Sequence, residues 1–92
     1  MFNINQLKSF VNANGEKVYL FDESVELPDW WFKRNFKNYA GYAALAMFEH
    51  TAIVIRETDK AVLVNFNVDI NNTYIDRNVW IAKSIIKVIK AK

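Results

Sequence analysis

The most chemically loaded stretch of this sequence is Trp30-Trp31-Phe32-Lys33-Arg34-Asn35-Phe36-Lys37-Asn38-Tyr39. Rings interleaved with cations suit single-stranded nucleic acid, because bases stack on the rings while basic groups follow the phosphates. Trp, Tyr and Arg are equally the residue types that concentrate at protein–protein hot spots. On a helix Lys33, Arg34 and Lys37 share one face and Phe32 and Phe36 point elsewhere. The stretch therefore also reads as an amphipathic core helix with a solvated basic side. Adjacent helical residues lie about 100° apart, so one of Trp30 and Trp31 can enter the core while the other stays near the surface.

Two further charged groups flank this run. Asp22, Glu23, Glu26 and Asp29 precede it, and spaced carboxylates can imitate a phosphate path or form the acidic rim of a protein contact. Carboxylates at a helix start are also favoured by the helix dipole alone. Lys83, Lys87, Lys90 and Lys92 form a C-terminal basic group, suited to phosphate, to an acidic partner or simply to solvent.

Catalysis finds little to work with. The absence of cysteine removes disulfides, thiolate metal sites and a thiol nucleophile together. The single histidine, His50, has Glu49 beside it, but neighbouring helix residues do not face each other. Its expected role is packing or a helix C-cap. Ser9, Ser24 and Ser84 lie outside any nucleophile-elbow context, and two glycines are too few for a glycine-rich phosphate cradle. No carboxylate cluster has metal-ligand spacing. The expectation is a protein that is not an enzyme and uses no metal or cofactor, which leaves binding as the function class.

The elements that must position these residues follow from pattern. Asn14-Gly15 between Lys8–Asn12 and Lys17–Asp22 is a hairpin signal, with strands predicted near 8–12 and 17–22. The acidic connection ends at Pro28, a residue suited to a helix start. Phe32, Phe36, Tyr39, Ala43 and Met47 then recur at helical spacing, predicting a helix from Asp29 to about Glu49, with a break near 38–41 at Gly41. Thr51–Arg56 and Ala61–Phe66 read as a hairpin across the polar Glu57-Thr58-Asp59-Lys60. Asn67–Asn72 reads as loop, with a turn at Asn71-Asn72. Tyr74-Ile75 and Asn78–Ile81 form one more strand, bent or bulged at Asp76-Arg77. Ser84 can cap a short terminal helix from Ile85 to Ala91, with Lys83, Lys87 and Lys90 on its solvated side, although a strand fits the same residues.

The fold class is therefore α+β: an N-terminal β-hairpin, a central helical segment, a C-terminal antiparallel β-meander able to curl into a small barrel, and a short terminal helix. The 92 residues suit one domain spanning 1–92, and 52% hydrophobic content supplies a core. No apolar run approaches the roughly 20 residues of a membrane helix, and Met1–Gln6 lacks a signal-peptide pattern, so a cytoplasmic protein without a membrane partner is expected. A net charge of +2 is too small to argue for nucleic acid by itself. The abundance of Asn, Ile, Lys, Phe and Tyr, all encoded by AT-rich codons, suggests a low-GC bacterium or one of its mobile elements.

One segment adds to this. Glu57-Thr58-Asp59-Lys60-Ala61-Val62-Leu63-Val64, followed by Val79-Trp80-Ile81-Ala82-Lys83-Ser84, resembles a cassette of small phage and mobile-element proteins from low-GC Gram-positive bacteria. Ala82 stands where those proteins usually carry proline, and Asn67–Arg77 is longer than their connecting turn. The resemblance spans 57–84 and implies a scaffold: a hairpin, an anchoring Trp80 and a helix-capping Ser84. With that provenance, the expected function is a non-enzymatic inhibitor of a host defence protein, anti-CRISPR-like by analogy, acting by protein–protein contact on a host protein such as a CRISPR–Cas effector. Trp30 or Trp31 would anchor it, with Lys33, Arg34 and Lys37 or the acidic group as rim. A nucleic-acid-binding module for single-stranded DNA or RNA and a homo-oligomeric assembly accessory, in its simplest form a homodimer, remain open beside it.

Overall fold

The computed structural model describes residues 2–49, 52–70 and 72–89. Its architecture is α+β, an interrupted helical segment packed on one face of an open antiparallel sheet. The expected positions of His50, Asn71, Lys90 and Lys92 lie outside the described residues.

The N-terminal hairpin forms as Ser9–Val11 (β1) and Lys17–Leu20 (β2), with Ser9 opposite Tyr19 and Val11 opposite Lys17. Gly15 is the left-handed residue of its turn, at φ 78°. Asn12 does the remaining work: its Oδ1 accepts from the N–H groups of Asn14 (3.0 Å) and Glu16 (2.9 Å). Its own N–H donates to the Glu16 carbonyl at 2.9 Å. The loop thus needs one positive φ rather than two, because a side chain supplies acceptors that a tighter turn takes from backbone geometry.

Val25–Glu26 (β3) lies within the stretch read as a connection. The helical segment then runs as Asp29–Phe36 (α1), a 3-10 turn over Lys37–Tyr39 and Ala40–Phe48 (α2). The break sits at Lys37, whose φ of 46° leaves the helical path, and Gly41 lies inside α2. Ala43 and Ala46 are fully buried, and such small side chains let a helix approach a sheet closely.

The sheet is completed by Ile53–Glu57 (β4), Ala61–Ile70 (β5) and Thr73–Ala82 (β6), in spatial order β1-β2-β4-β5-β6. Among the described residues it does not close into a barrel and ends at β1 and β6. The loop expected over 67–72 is corrected: β5 and β6 pair without interruption from Ala61 opposite Ala82 to Ile70 opposite Thr73. Asn65, Asn67 and Asp69 are poor strand formers, yet they alternate with the buried Phe66 and Val68. That alternation outweighs local propensity. Their amides are used across the strands, Asn65 Nδ2 donating to Asp76 Oδ1 (2.8 Å) and Asn78 Oδ1 (2.9 Å), and Asn67 Nδ2 to the Tyr74 hydroxyl (3.1 Å). Asp76-Arg77 accordingly carries no bulge. The irregularity falls instead in β4, between Val54 and Arg56.

The terminal helix is also corrected. Lys83–Ile85 is one 3-10 turn containing Ser84, which does not cap it, and Lys87–Val88 (β7) pairs with β3, Glu26 opposite Lys87 and Val25 opposite Val88. Ile89 adds an N–H bond of 2.8 Å to the Ser24 carbonyl. β-Branched residues favour the extended form, and a waiting partner strand decides the outcome.

The core lies between helices and sheet. Trp31, Phe32 and Phe36 from α1 meet Val62, Val64, Phe66 and Val68 from β5 in one buried cluster. Trp31 packs edge-on to Phe32 at 5.2 Å between ring centroids, and Phe66 sits 5.1 Å from Phe36 and 5.8 Å from Trp31. Side chains of opposite parity along β5 and β6 therefore face away from the helices.

Candidate binding surfaces

On α1 the spacing resolves the tryptophan pair. Trp31 is 4% exposed inside the aromatic cluster, whereas Trp30 is 52% exposed. Trp30, Lys33 and Arg34 stand at i, i+3 and i+4 on the outer side of the helix, and Lys37 is exposed just after it. Trp31 is thus packing material, and the surface stripe is Trp30 with Lys33, Arg34 and Lys37. Trp30 borders an open cleft formed with Leu27, Pro28, Ile85 and Lys87, into which Glu26 and Asp29 also reach.

The acidic group does not act as one rim. Asp22 is fully buried: its Oδ1 accepts from the Ser24 N–H (2.9 Å) and hydroxyl (2.5 Å), and its Oδ2 lies 3.6 Å from Lys8 Nζ. Glu23 shares that lysine at 3.7 Å. Asp22 is therefore a structural group of the turn leading into β3. Glu26 and Asp29 are exposed beside Trp30, and Asp29 sits in the first turn of α1, where the dipole favours it. Of the C-terminal lysines, Lys83 is paired with Glu57 at 2.7 Å and Lys87 is exposed on β7.

A second surface emerges only from the strand order. The face of the sheet opposite the helices carries Phe10 and Val18, then Leu20 and Ile53, then Leu63 and Trp80, each a directly opposed pair. Alternation along β4 adds Ile55 at its bulge. Phe10 is 47%, Ile55 44% and Trp80 47% exposed. Trp80, expected as the anchoring Trp of a scaffold, thus stands on open surface. Toward the far end of β5 and β6 the face becomes polar through Asn65, Asn67, Asp76, Asn78 and Tyr74. No element among the described residues covers this face. Its two aromatic rings alone leave roughly 200 Å² open, about half of the 150–250 Å² that each such side chain presents. A sequence signal for it exists: Ile53-Val54-Ile55 and Val62-Leu63-Val64 are unbroken apolar runs, which place apolar groups on both faces of an antiparallel strand.

Electrostatically, the two surfaces differ. The α1 stripe is cationic with an acidic margin, and the sheet face is apolar with Arg56 and Asp76 beside it. Among the described residues no three His, Asp or Glu side chains gather in a metal-binding arrangement, and no helix is long and apolar enough to cross a membrane. No family model, no curated protein and no solved structure matches the chain.

Proposed function

We propose that this chain is a non-enzymatic binding protein that works by protein–protein contact, docking the open face of its sheet on a partner. The observation that carries this reading is the uncovered apolar face anchored by Phe10, Ile55 and Trp80. Exposed apolar patches rimmed by polar residues mark interaction sites, and Trp, here Trp80 on the terminal strand β6, is among the residue types enriched at hot spots. The class of partner follows by analogy from the phage-like provenance that the resemblance over 57–84 implies: a host defence protein, an effector of the CRISPR–Cas kind, inhibited inside the host cytoplasm. A second reading, a single-stranded nucleic-acid module, rests on the exposed Trp30 indole beside Lys33, Arg34 and Lys37.

The test is capture of tagged protein from a low-GC Gram-positive host lysate, with and without nuclease, comparing wild type with Phe10→Asp/Ile55→Asp and with Trp30→Ala. The proposal expects one protein partner that survives nuclease, is lost with the sheet-face variant and is kept with Trp30→Ala. Loss with Trp30→Ala and with nuclease, at an unchanged sheet-face variant, would replace it by the nucleic-acid reading.

A further inference from the structure

The sheet ends on β6, a ten-residue strand beyond which no other strand lies among the described residues. Its main-chain groups can be assigned from the turn. Ile70 stands opposite Thr73 across a two-residue loop, and such a loop makes the flanking pair a hydrogen-bonded one. Odd-numbered residues of β6 therefore bond to β5, and the series continues in the Lys83 N–H bond to the Lys60 carbonyl at 2.8 Å. The even-numbered residues Tyr74, Asp76, Asn78, Trp80 and Ala82 turn their N–H and C=O groups outward. They are spaced symmetrically about Asn78.

A long bare edge is usually guarded by charge, and here the two candidate guards are engaged by their own molecule. Arg77 donates to the Asn35 carbonyl, with its guanidinium 5.4 Å from the Phe36 ring centre. Asp76 accepts from Asn65 Nδ2.

We infer that β6 pairs antiparallel with β6 of a second copy about a two-fold axis at Asn78, joining two five-stranded sheets into one of ten strands. This register uses all five outward-facing residues of each copy and makes about ten main-chain hydrogen bonds, two per narrow pair. It sets Asp76 opposite Trp80 of the second copy, Tyr74 opposite Ala82, and Arg77 opposite Val79. Shifting the axis to residue 76 would oppose Asp76 with itself, and shifting it to residue 77 would oppose Arg77 with itself, both unfavourable. Maximum overlap and charge avoidance thus select the same register. The second copy is favoured over an unrelated strand because the edge is complementary to itself. The pairing leaves the faces bearing Phe10 and Ile55 open on the same side of the joint sheet, so it is independent of the docking proposed above.

The test is sedimentation of the full chain from about 1 to 500 μM, since a dimer must respond to concentration. Wild type is expected to pass from monomer to dimer. Asn78→Pro removes an outward N–H and no main-chain bond to β5, only the side-chain bond from Asn65 Nδ2 that Asn78→Lys also removes, and Asn78→Lys places two ammonium groups at the axis. Each should weaken dimerisation at least about tenfold, with the Asn78→Lys defect relieved by salt. Far-UV circular dichroism identifies a variant that fails to fold, and the other then decides. A wild type monomeric throughout overturns the inference, as does a dimer that survives the folded variants. Loss of dimer in Phe10→Asp but not in Asn78→Lys would also overturn it, in favour of face-to-face association.

Discussion

Replacing each of the two adjacent tryptophans by alanine should have opposite consequences, and the size of the difference follows from their surroundings. Trp31 is 4% exposed and touches three rings, with centroids 5.2 Å (Phe32), 5.9 Å (Phe36) and 5.8 Å (Phe66) away. Truncating a buried aromatic to alanine costs about 3–5 kcal/mol through lost transfer energy and the cavity left behind. A chain of this size has about 5–14 kcal/mol of stability in all, at about 0.05–0.15 kcal/mol per residue. Trp31→Ala should therefore consume about a fifth of it or more. At about 4–8 °C per kcal/mol, the melting temperature should fall by at least about 12 °C. Trp30 is 52% exposed on the outer side of α1, so Trp30→Ala should stay within about 1 kcal/mol of wild type. Urea unfolding followed by far-UV circular dichroism measures both. Equal losses, or a larger one at Trp30, would refute the packing assignment and the identity of the exposed indole.

Three more expectations follow from other parts of the fold. Gly15 has φ 78° with open space around its α-carbon, so Gly15→Ala should cost about 1 kcal/mol from left-handed strain alone, measured by the same denaturation. Asp22→Ala strands the buried Ser24 N–H and hydroxyl and should cost about 2–3 kcal/mol, whereas Glu23→Ala on the surface should stay within about 0.5 kcal/mol. Comparable losses for the pair would disprove the turn-building role of Asp22. Phe10→Asp and Ile55→Asp lie on the uncovered face and should leave the folded state within about 1 kcal/mol of wild type while abolishing partner capture. A large stability loss for either would show that the face is packed rather than open.

How much was legible in the sequence can be argued from particular residues. The amphipathic order of 29–36 was legible in part: Phe32 and Phe36 separate from Lys33 and Arg34 by helical spacing. Spacing left both Trp30 and Trp31 as anchors, and the packing of Trp31 on Phe36 and Phe66 decided between them. The hairpin at Asn14-Gly15 and the polar turn at Thr58–Lys60 were legible because their turn chemistry is local. The strand through Asn65, Asn67 and Asp69 was hidden by residue type, since amides read as loop until cross-strand partners such as Asp76 and Asn78 are known.

Residues 85–89 show a different limit. Their isoleucines and valine fit a short helix or a strand equally well, and only β3 nearby turns Lys87–Val88 into a strand. Asp22 and Glu23 are neighbours of the same charge, yet one is buried beneath Lys8 and Ser24 and the other is exposed. Sequence by itself determined the α+β class, the aromatic core helix and the lack of thiol chemistry, because each depends on short-range periodicity or simple presence. Tertiary structure alone decided that Phe10, Ile55 and Trp80 share an uncovered face and that β6 ends the sheet. Those facts depend on strand order and on which side the helices occupy, and no local pattern of side chains encodes either.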